Sequence, residues 1–377
     1  MTIDGAASPR TGEPAPSRLA ARWRRFDGPG REAGVDLARG IAVVGMFAAH
    51  LLTTPALVWR DPGSWLGLVD GRSSILFATL AGVSLALTTG GWRGADGTDL
   101  TLARGRIALR AVCIWAWGLL LISLATPVIV ILPAYAILFL LALPALRWRA
   151  TRLFVVAAAI GVVVPFAIAW LNTLPMWQTP GGEVAADAIG WNYPFPLWAA
   201  FVAAGLGIGR LRLSMPLTAA LLLAAGTVLA AVGYGLFGRW AAPAGPWHAL
   251  SAEPHSSGVG EAIGSGGFAI AVIAACVLLC ATPLRWLAIP LRAVGAMPLT
   301  AYSAQLIAWA LLQPDPGATG SDLLAFRALE PFWPMTVATL VGCTAWTLLV
   351  GRGPLESGIS WLARRLTPPH ERSRLTP

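Results

Sequence analysis

The 377-residue chain contains no lysine, only four cysteines and four histidines, and just 12% charged residues. Soluble domains carry about 25% Asp, Glu, Lys and Arg, so this chain has too little charge to cover a soluble globule of its length. The few cysteines exclude a disulfide framework. Cys113, Cys276, Cys280 and Cys343 all fall inside apolar runs, where a thiol behaves as a small hydrophobe. Cys276 and Cys280 share a helical face, but no histidine or acid stands near them in sequence, so no metal is expected. Also missing are a phosphate-cradling Gly-Lys-Ser/Thr loop, an HExxH helix, a Gly-x-Ser-x-Gly elbow and a Cys-x-x-Cys pair. Their absence argues against ATP-driven pumping and the familiar hydrolases.

What is present is apolar. The chain is 56% hydrophobic with a mean hydropathy of +0.67, and apolar stretches fill it from Arg39 to Val350 with short breaks. Crossing a hydrocarbon core takes about twenty such residues in a helix. Run lengths and polar breaks give ten segments, at roughly 40–58, 73–89, 107–125, 128–146, 153–171, 195–211, 215–237, 263–281, 297–313 and 332–350. The expected fold is all-α, a polytopic integral membrane protein of about ten transmembrane helices. The expected organisation is a disordered basic cytoplasmic tail over 1–38, a multi-pass membrane domain over 39–351 and an amphipathic cytoplasmic segment over 352–377.

The formal charge of +9 rests on arginine alone. Nucleic acid is not the expected partner, because the arginines lie between apolar spans and form no basic stripe with interleaved aromatics. With the N-terminus inside, all of the arginines except Arg60, Arg72, Arg239 and Arg327 fall on the cytoplasmic side. That asymmetry predicts cytoplasmic N- and C-termini. The expected setting is the plasma or inner membrane, with membrane lipid as a partner and a homodimer left open. The stretch Ser17–Phe26 reads either as a basic helix on anionic lipid or as a solvated tail. Pro283–Val294 and Pro354–Leu366 read as interfacial helices on the cytoplasmic side. Gly205, Gly207 and Gly209 follow no strand, so they read as close helix packing rather than a dinucleotide-binding turn.

Several polar residues stand where lipid should have excluded them. Asp36, Arg39 and His50 share one stripe of the first span at three- and four-residue spacing. His50 lies about 16 Å along the helix from Arg39, near the bilayer centre, where an ionisable group is costly and usually functional. The competing reading is a neutral histidine tying two helices, with Asp36 and Arg39 as an interface ion pair. Arg72 opens the second span on the outer side, either to hold an anion or substrate or to clamp Asp70 or Asp61. His255 lies in the largest outer segment, two residues from Glu253. A carboxylate at that spacing can tune a histidine for proton transfer, whereas a lone loop histidine is ordinary surface. Tyr302 and Gln305 share a face of the ninth span at i,i+3, lining a cavity or bonding helix to helix.

The stretches Val35–His50 (VDLARGIAVVGMFAAH) and Ser64–Ser84 (SWLGLVDGRSSILFATLAGVS) resemble the opening of the heparan-alpha-glucosaminide N-acetyltransferase-like membrane family. The Asp-x-x-Arg-Gly piece at Asp36 and Arg39 is the most specific part. Val294–Gln305 and Gly353–Thr367 resemble a related bacterial family, called domain of unknown function 418. The resemblance implies a transmembrane acyltransferase that passes an acyl group, acetyl in the named family, from cytoplasmic acyl-CoA (acetyl-CoA) to an acceptor on the far side. In the animal enzymes a catalytic histidine precedes the Ser-Trp-x-Gly piece. Here Asp61, Pro62 and Gly63 stand in its place, which leaves His50, or His255 with Glu253, as replacements.

The leading expectation is acylation of an unknown extracytoplasmic glycan, lipid or small molecule. His50 or His255 would be the base, and Arg72, Tyr302 or Gln305 would stabilise the oxyanion. Arg39, Arg104 and Arg106 stand where CoA phosphates would arrive, although positive-inside anchoring accounts for them equally. The alternative is a transporter or lipid flippase with His50 as a proton relay.

Overall fold

The computed structural model describes residues 18–28, 30–241, 246–312 and 322–367. Among them every regular element is helical and none is a strand. The helices are α1 (Arg18–Asp27), α2 (Ala33–Leu51), α3 (Arg72–Thr88), α4 (Gly97–Ile122), α5 (Leu132–Ala142), α6 (Ala150–Leu171), α7 (Pro180–Ile189), α8 (Phe195–Gly209) and α9 (Pro216–Val232). A π-turn over 233–237 carries α9 into α10 (Gly238–Trp240), followed by α11 (Val259–Cys280), α12 (Ile289–Ala296), α13 (Pro298–Leu312), α14 (Asp322–Ala328), α15 (Phe332–Leu349) and α16 (Pro354–Leu366). Proline in the first turn opens α5, α7, α8, α9, α12 and α16. There its missing N–H has no partner to lose and its fixed φ suits the helix.

Each of the ten apolar runs falls on a helix. Six of these helices are long and apolar enough to cross a membrane, or up to eight if each bent pair is one span. The bent pairs are Pro62–Val69 with α3, at 44°, and α12 with α13, at 88°. The runs at 128–146 and 195–211 fall on the two shorter apolar helices, Leu132–Arg147 and Phe195–Gly209. The molecule is a multi-pass membrane protein.

α2 is the buried centre: 67% of its apolar window lies inside the protein, against 11% for Pro216–Trp240. It packs against α3, α11 and α12, while α9 and α15 turn residues such as Leu217, Leu221, Val337 and Val341 outward. Outward apolar side chains of this kind require lipid around them. α8 lies against α3 because both helices carry glycine at the crossing. A Cβ on Gly205 would run into the Thr79 carbonyl, and one on Gly82 into that of Val202. The run Gly205–Gly209 is therefore a packing surface.

Several expectations are corrected by the packing. The first span begins at Ala33 rather than near residue 40, because Asp36, 4% exposed, is neutralised by Arg31 and Arg39 and can enter the protein interior. It also ends earlier, at Leu51, four residues before Pro55, which biases the chain ahead of it towards extended conformations. His50 therefore occupies the last turn of α2 and not the middle of a span. Pro283–Val294 is no simple interfacial helix either: Arg292 is fully buried, ion-paired with Asp27 and set over the Phe26 ring. Asp27 also engages Arg285, and Trp23 stacks on Trp286, so α1 docks on protein instead of floating free. Residues 1–17 of the expected tail and 368–377 of the C-terminal segment lie outside the described residues.

Candidate active site

One large cavity opens at the arginine-rich end of the bundle. Its volume is about 740 Å³, and its lining comes from α2, α3, α4, α5, α13 and α16. That size suits a ligand-binding site, which usually spans about 300–1,000 Å³. Arg31, Arg39, Arg106, Arg110, Arg352 and Arg364 line it. Its inner wall is apolar and aromatic, with Phe77, Ile114, Tyr135 and Tyr302. A mouth of cations above an apolar shaft fits a long ligand with an anionic head and an uncharged arm.

Arg39 is fixed by its neighbours. Its Nη1 donates to Asp36 Oδ1 at 3.0 Å and to the Gly295 carbonyl at 2.7 Å, and its Nη2 donates to Ser84 Oγ at 2.8 Å. One guanidinium thus ties α2 to α3 and to α12, a use that the planar fork of arginine serves and lysine does not. Asp36 takes Arg31 Nε on its other oxygen at 2.5 Å. Asp36 and Arg39 therefore form one wall of the mouth. Arg106 donates to Thr367 Oγ1 at 3.3 Å, at the end of α16. Arg104 turns away from the cavity and donates to the Leu143 carbonyl at 3.2 Å.

α16 closes one side of the mouth. Its Glu356 carboxylate accepts from the Leu299 and Thr300 amides, at 2.8 and 3.1 Å, and from the Thr300 hydroxyl at 2.5 Å. These are the free donors of the α13 N-terminus, where a carboxylate is favoured. The contact fixes the helix that carries Tyr302 and Gln305. Tyr302 OH accepts from the Ile131 amide at 3.4 Å, and the next residue, Ser303, accepts from Trp117 Nε1 at 2.8 Å. One turn further along α13, Gln305 Oε1 faces His50 Nδ1 at 3.5 Å. Gln305 is 1% exposed and its Nε2 has no hydrogen-bond partner among the described residues. Arg327 of α14 caps the end of α2, donating to the Ala49 and His50 carbonyls at 3.1 and 3.0 Å.

The other expected site residues gather at the end of the bundle that holds His50. Arg72 is buried but clamps neither Asp70 nor Asp61 by its carboxylate. It donates to Tyr234 OH at 2.8 Å, to the Gly67 carbonyl at 3.1 Å and to that of Asp70 at 3.3 Å. Tyr234 sits in the π-turn and shares a 2.7 Å hydrogen bond with Ser265. His255 is engaged by Asp70, at 3.2 Å from its Nε2, and not by its sequence neighbour Glu253, which is exposed. The hydrogen bond to Asp70 raises the His255 pKa above its ordinary value against the opposing effect of burial, and the same bond lowers that of Asp70. His255 and Ser257 adopt left-handed φ angles of 61° and 57°. Glu261 holds that strained turn by accepting from both of their amides at 2.7 Å.

The catalytic-domain model of heparan-alpha-glucosaminide N-acetyltransferase matches residues 31–243, more than half of the chain. The chain belongs to this family. No curated protein matches it. The family match covers the Asp36–Arg39 motif, His50, Arg72 and the α4 and α5 walls of the cavity. Tyr302, Gln305, His255 and the α16 wall lie beyond it. The fold joins the two parts, since α13 and α16 complete the cavity that the matched helices begin. Sequence reading missed Glu356 and Arg110, and it set Asp70 beside Arg72 rather than His255. An acid three residues before Ile-Ser-Trp, an aspartate ahead of Gly71-Arg72 and an arginine inside an apolar run were the signals that could have found them.

Proposed function

We propose that this family member is a transmembrane acetyltransferase. Acetyl-CoA enters the arginine-lined cavity from the cytoplasm, and the acetyl group passes to a glycan, lipid or small-molecule acceptor on the far side. The observation that carries the reading is the path along α13. The cavity ends at Tyr302, and the His50–Gln305 pair stands one helical turn, about 5 Å, beyond it. His50 and Gln305 do not themselves line the cavity, so Tyr302 and the Ile131 segment form the partition that the thioester must pass.

In this reading Gln305 Oε1 accepts from His50 Nδ1–H, which leaves Nε2 unprotonated as the general base. The acceptor nitrogen or oxygen attacks the thioester carbonyl while His50 takes its proton. The unpartnered Gln305 Nε2 donates to the oxyanion, and the C–S bond breaks to release CoA thiolate, which recovers the proton. A positioned oxyanion donor typically contributes a factor of about 10²–10³. His255, paired to Asp70, holds the outer loop against α3. Glu253 takes no part in proton transfer.

The reading also carries the topology of ten spans with both termini cytoplasmic. Its support is the arginine asymmetry, together with arginines set over Trp92, Trp148, Trp286 and Trp361. All four tryptophans fall in segments assigned to the cytoplasmic side, where amphipathic rings mark the interface. The test incubates purified protein with labelled acetyl-CoA and a cell-envelope extract. Wild type is expected to transfer label and His50→Ala to lose at least about a hundredfold in rate, with His255→Ala retaining most of it. An unlabelled extract would overturn the enzyme reading in favour of transport, and full activity in His50→Ala would overturn the assignment of the base.

A further inference from the structure

Among the six arginines on the cavity wall, Arg110 stands apart. Arg31 and Arg39 are ion-paired, and Arg106 is hydrogen-bonded. Arg352 and Arg364 are exposed at the mouth. Arg110 makes no hydrogen bond and no ion pair among the described residues, and its Nε is buried without a partner. The acid whose charge reaches it, Glu356, is already engaged in capping α13.

Its depth makes this costly. α4 is a candidate membrane span, and its apolar run begins near residue 107, so Arg110 lies about 5 Å inside the edge of that run. A cation inside a membrane span with no partner is costly, and such groups mark ligand or ion paths. Arg110 is half-buried, and a charge withdrawn from water is stabilised by a partner, which the cavity that Arg110 lines can admit.

The geometry points to Arg110 as the binding position for the diphosphate of the CoA donor, while the exposed arginines at the mouth receive the 3′-phosphate. This rests on the acetyl-CoA reading above. The spacing supports it. Trp117, which holds Ser303 beside Tyr302, is seven residues beyond Arg110, about 10 Å along α4. A diphosphate at Arg110 therefore leaves the uncharged pantetheine arm to follow the apolar wall of Ile114, Tyr135 and Tyr302 towards His50. A guanidinium also suits this role by chemistry, since its fork matches phosphate oxygens two at a time.

The test measures binding of CoA, 3′-dephospho-CoA and pantetheine to the full-length protein in lipid nanodiscs, for wild type, Arg110→Gln and Arg110→Lys. Arg110→Gln is expected to weaken dephospho-CoA about 10- to 100-fold and pantetheine less than threefold, leaving the CoA to dephospho-CoA ratio unchanged. Arg110→Lys, which keeps a point charge but not the fork, is expected to fall between and serves if the glutamine variant does not fold. A purely structural role would weaken all three ligands alike and so overturn the inference. A loss confined to the CoA to dephospho-CoA ratio would overturn it too, by moving the 3′-phosphate to Arg110. If wild type binds none of the three, the acetyl-CoA reading itself fails, and that blank is visible before any variant is compared.

Discussion

Asp27→Asn is the sharpest test of how α1 is held. Asp27, with 4% of its side chain exposed, is the carboxylate paired to the fully buried Arg292 and to Arg285. Replacing it by a neutral isostere leaves Arg292 charged and uncompensated, which costs about 3–5 kcal/mol. If the cost falls on the docking of α1, the local opening equilibrium rises roughly 150- to 5,000-fold, because Trp23 and Phe26 must then leave Trp286 and Arg292 together. Amide hydrogen exchange over residues 18–28 reads this directly, without requiring global unfolding. Burial alone would push the Asp27 carboxyl up, but the hydrogen bonds and charges of Arg292 and Arg285 outweigh it and hold the pKa below its ordinary value. A depressed folded pKa stabilises above the unfolded value of about 3.9 and is lost as pH falls through the folded one. Protection of α1 should therefore stay level from about pH 7 to 5 and drop below about pH 4 in wild type, with no such drop in Asp27→Asn. Adding Arg292→Met should restore much of the protection. An increase in exchange of less than tenfold, or no rescue by the second change, would refute the reasoning.

Arg39→Lys should be poorly tolerated despite keeping its charge, because one ammonium cannot serve Asp36, Gly295 and Ser84 together. A loss of about 1–3 kcal/mol is expected, read as a lowered thermal midpoint in detergent, and acetyl transfer should fall with it. Gly205→Leu should prevent α3 and α8 from packing and abolish a monodisperse peak in size-exclusion chromatography. The His255–Asp70 pair is about half exposed, so its contribution is small and screened. Its sign is nevertheless fixed: a raised histidine pKa stabilises below about pH 6.5 and that help disappears as pH rises through the folded value. Exchange protection of residues 251–258 should decline across that window in wild type and stay level in Asp70→Asn.

The sequence by itself determined the class of the molecule. Low charge and long apolar runs leave a chain no stable choice but helices in lipid, because every backbone group must be satisfied within its own segment. The Asp36–Arg39 motif was legible because its spacing and flanking residues are local. So was the shared face of Tyr302 and Gln305, which follows from helical periodicity. Only the tertiary structure decided what each polar residue meets. Asp70 rather than Glu253 reaches His255 across 185 positions of chain, and Glu356 caps α13 from a helix more than fifty residues away. Arg110 shows the reason most plainly. In the sequence it was one more positive-inside arginine, and only the packing of α4 turns it into a cavity where it has no partner among the described residues. A residue's charge and helical face are written locally, but its desolvation and its partner depend on which other helices pack against it.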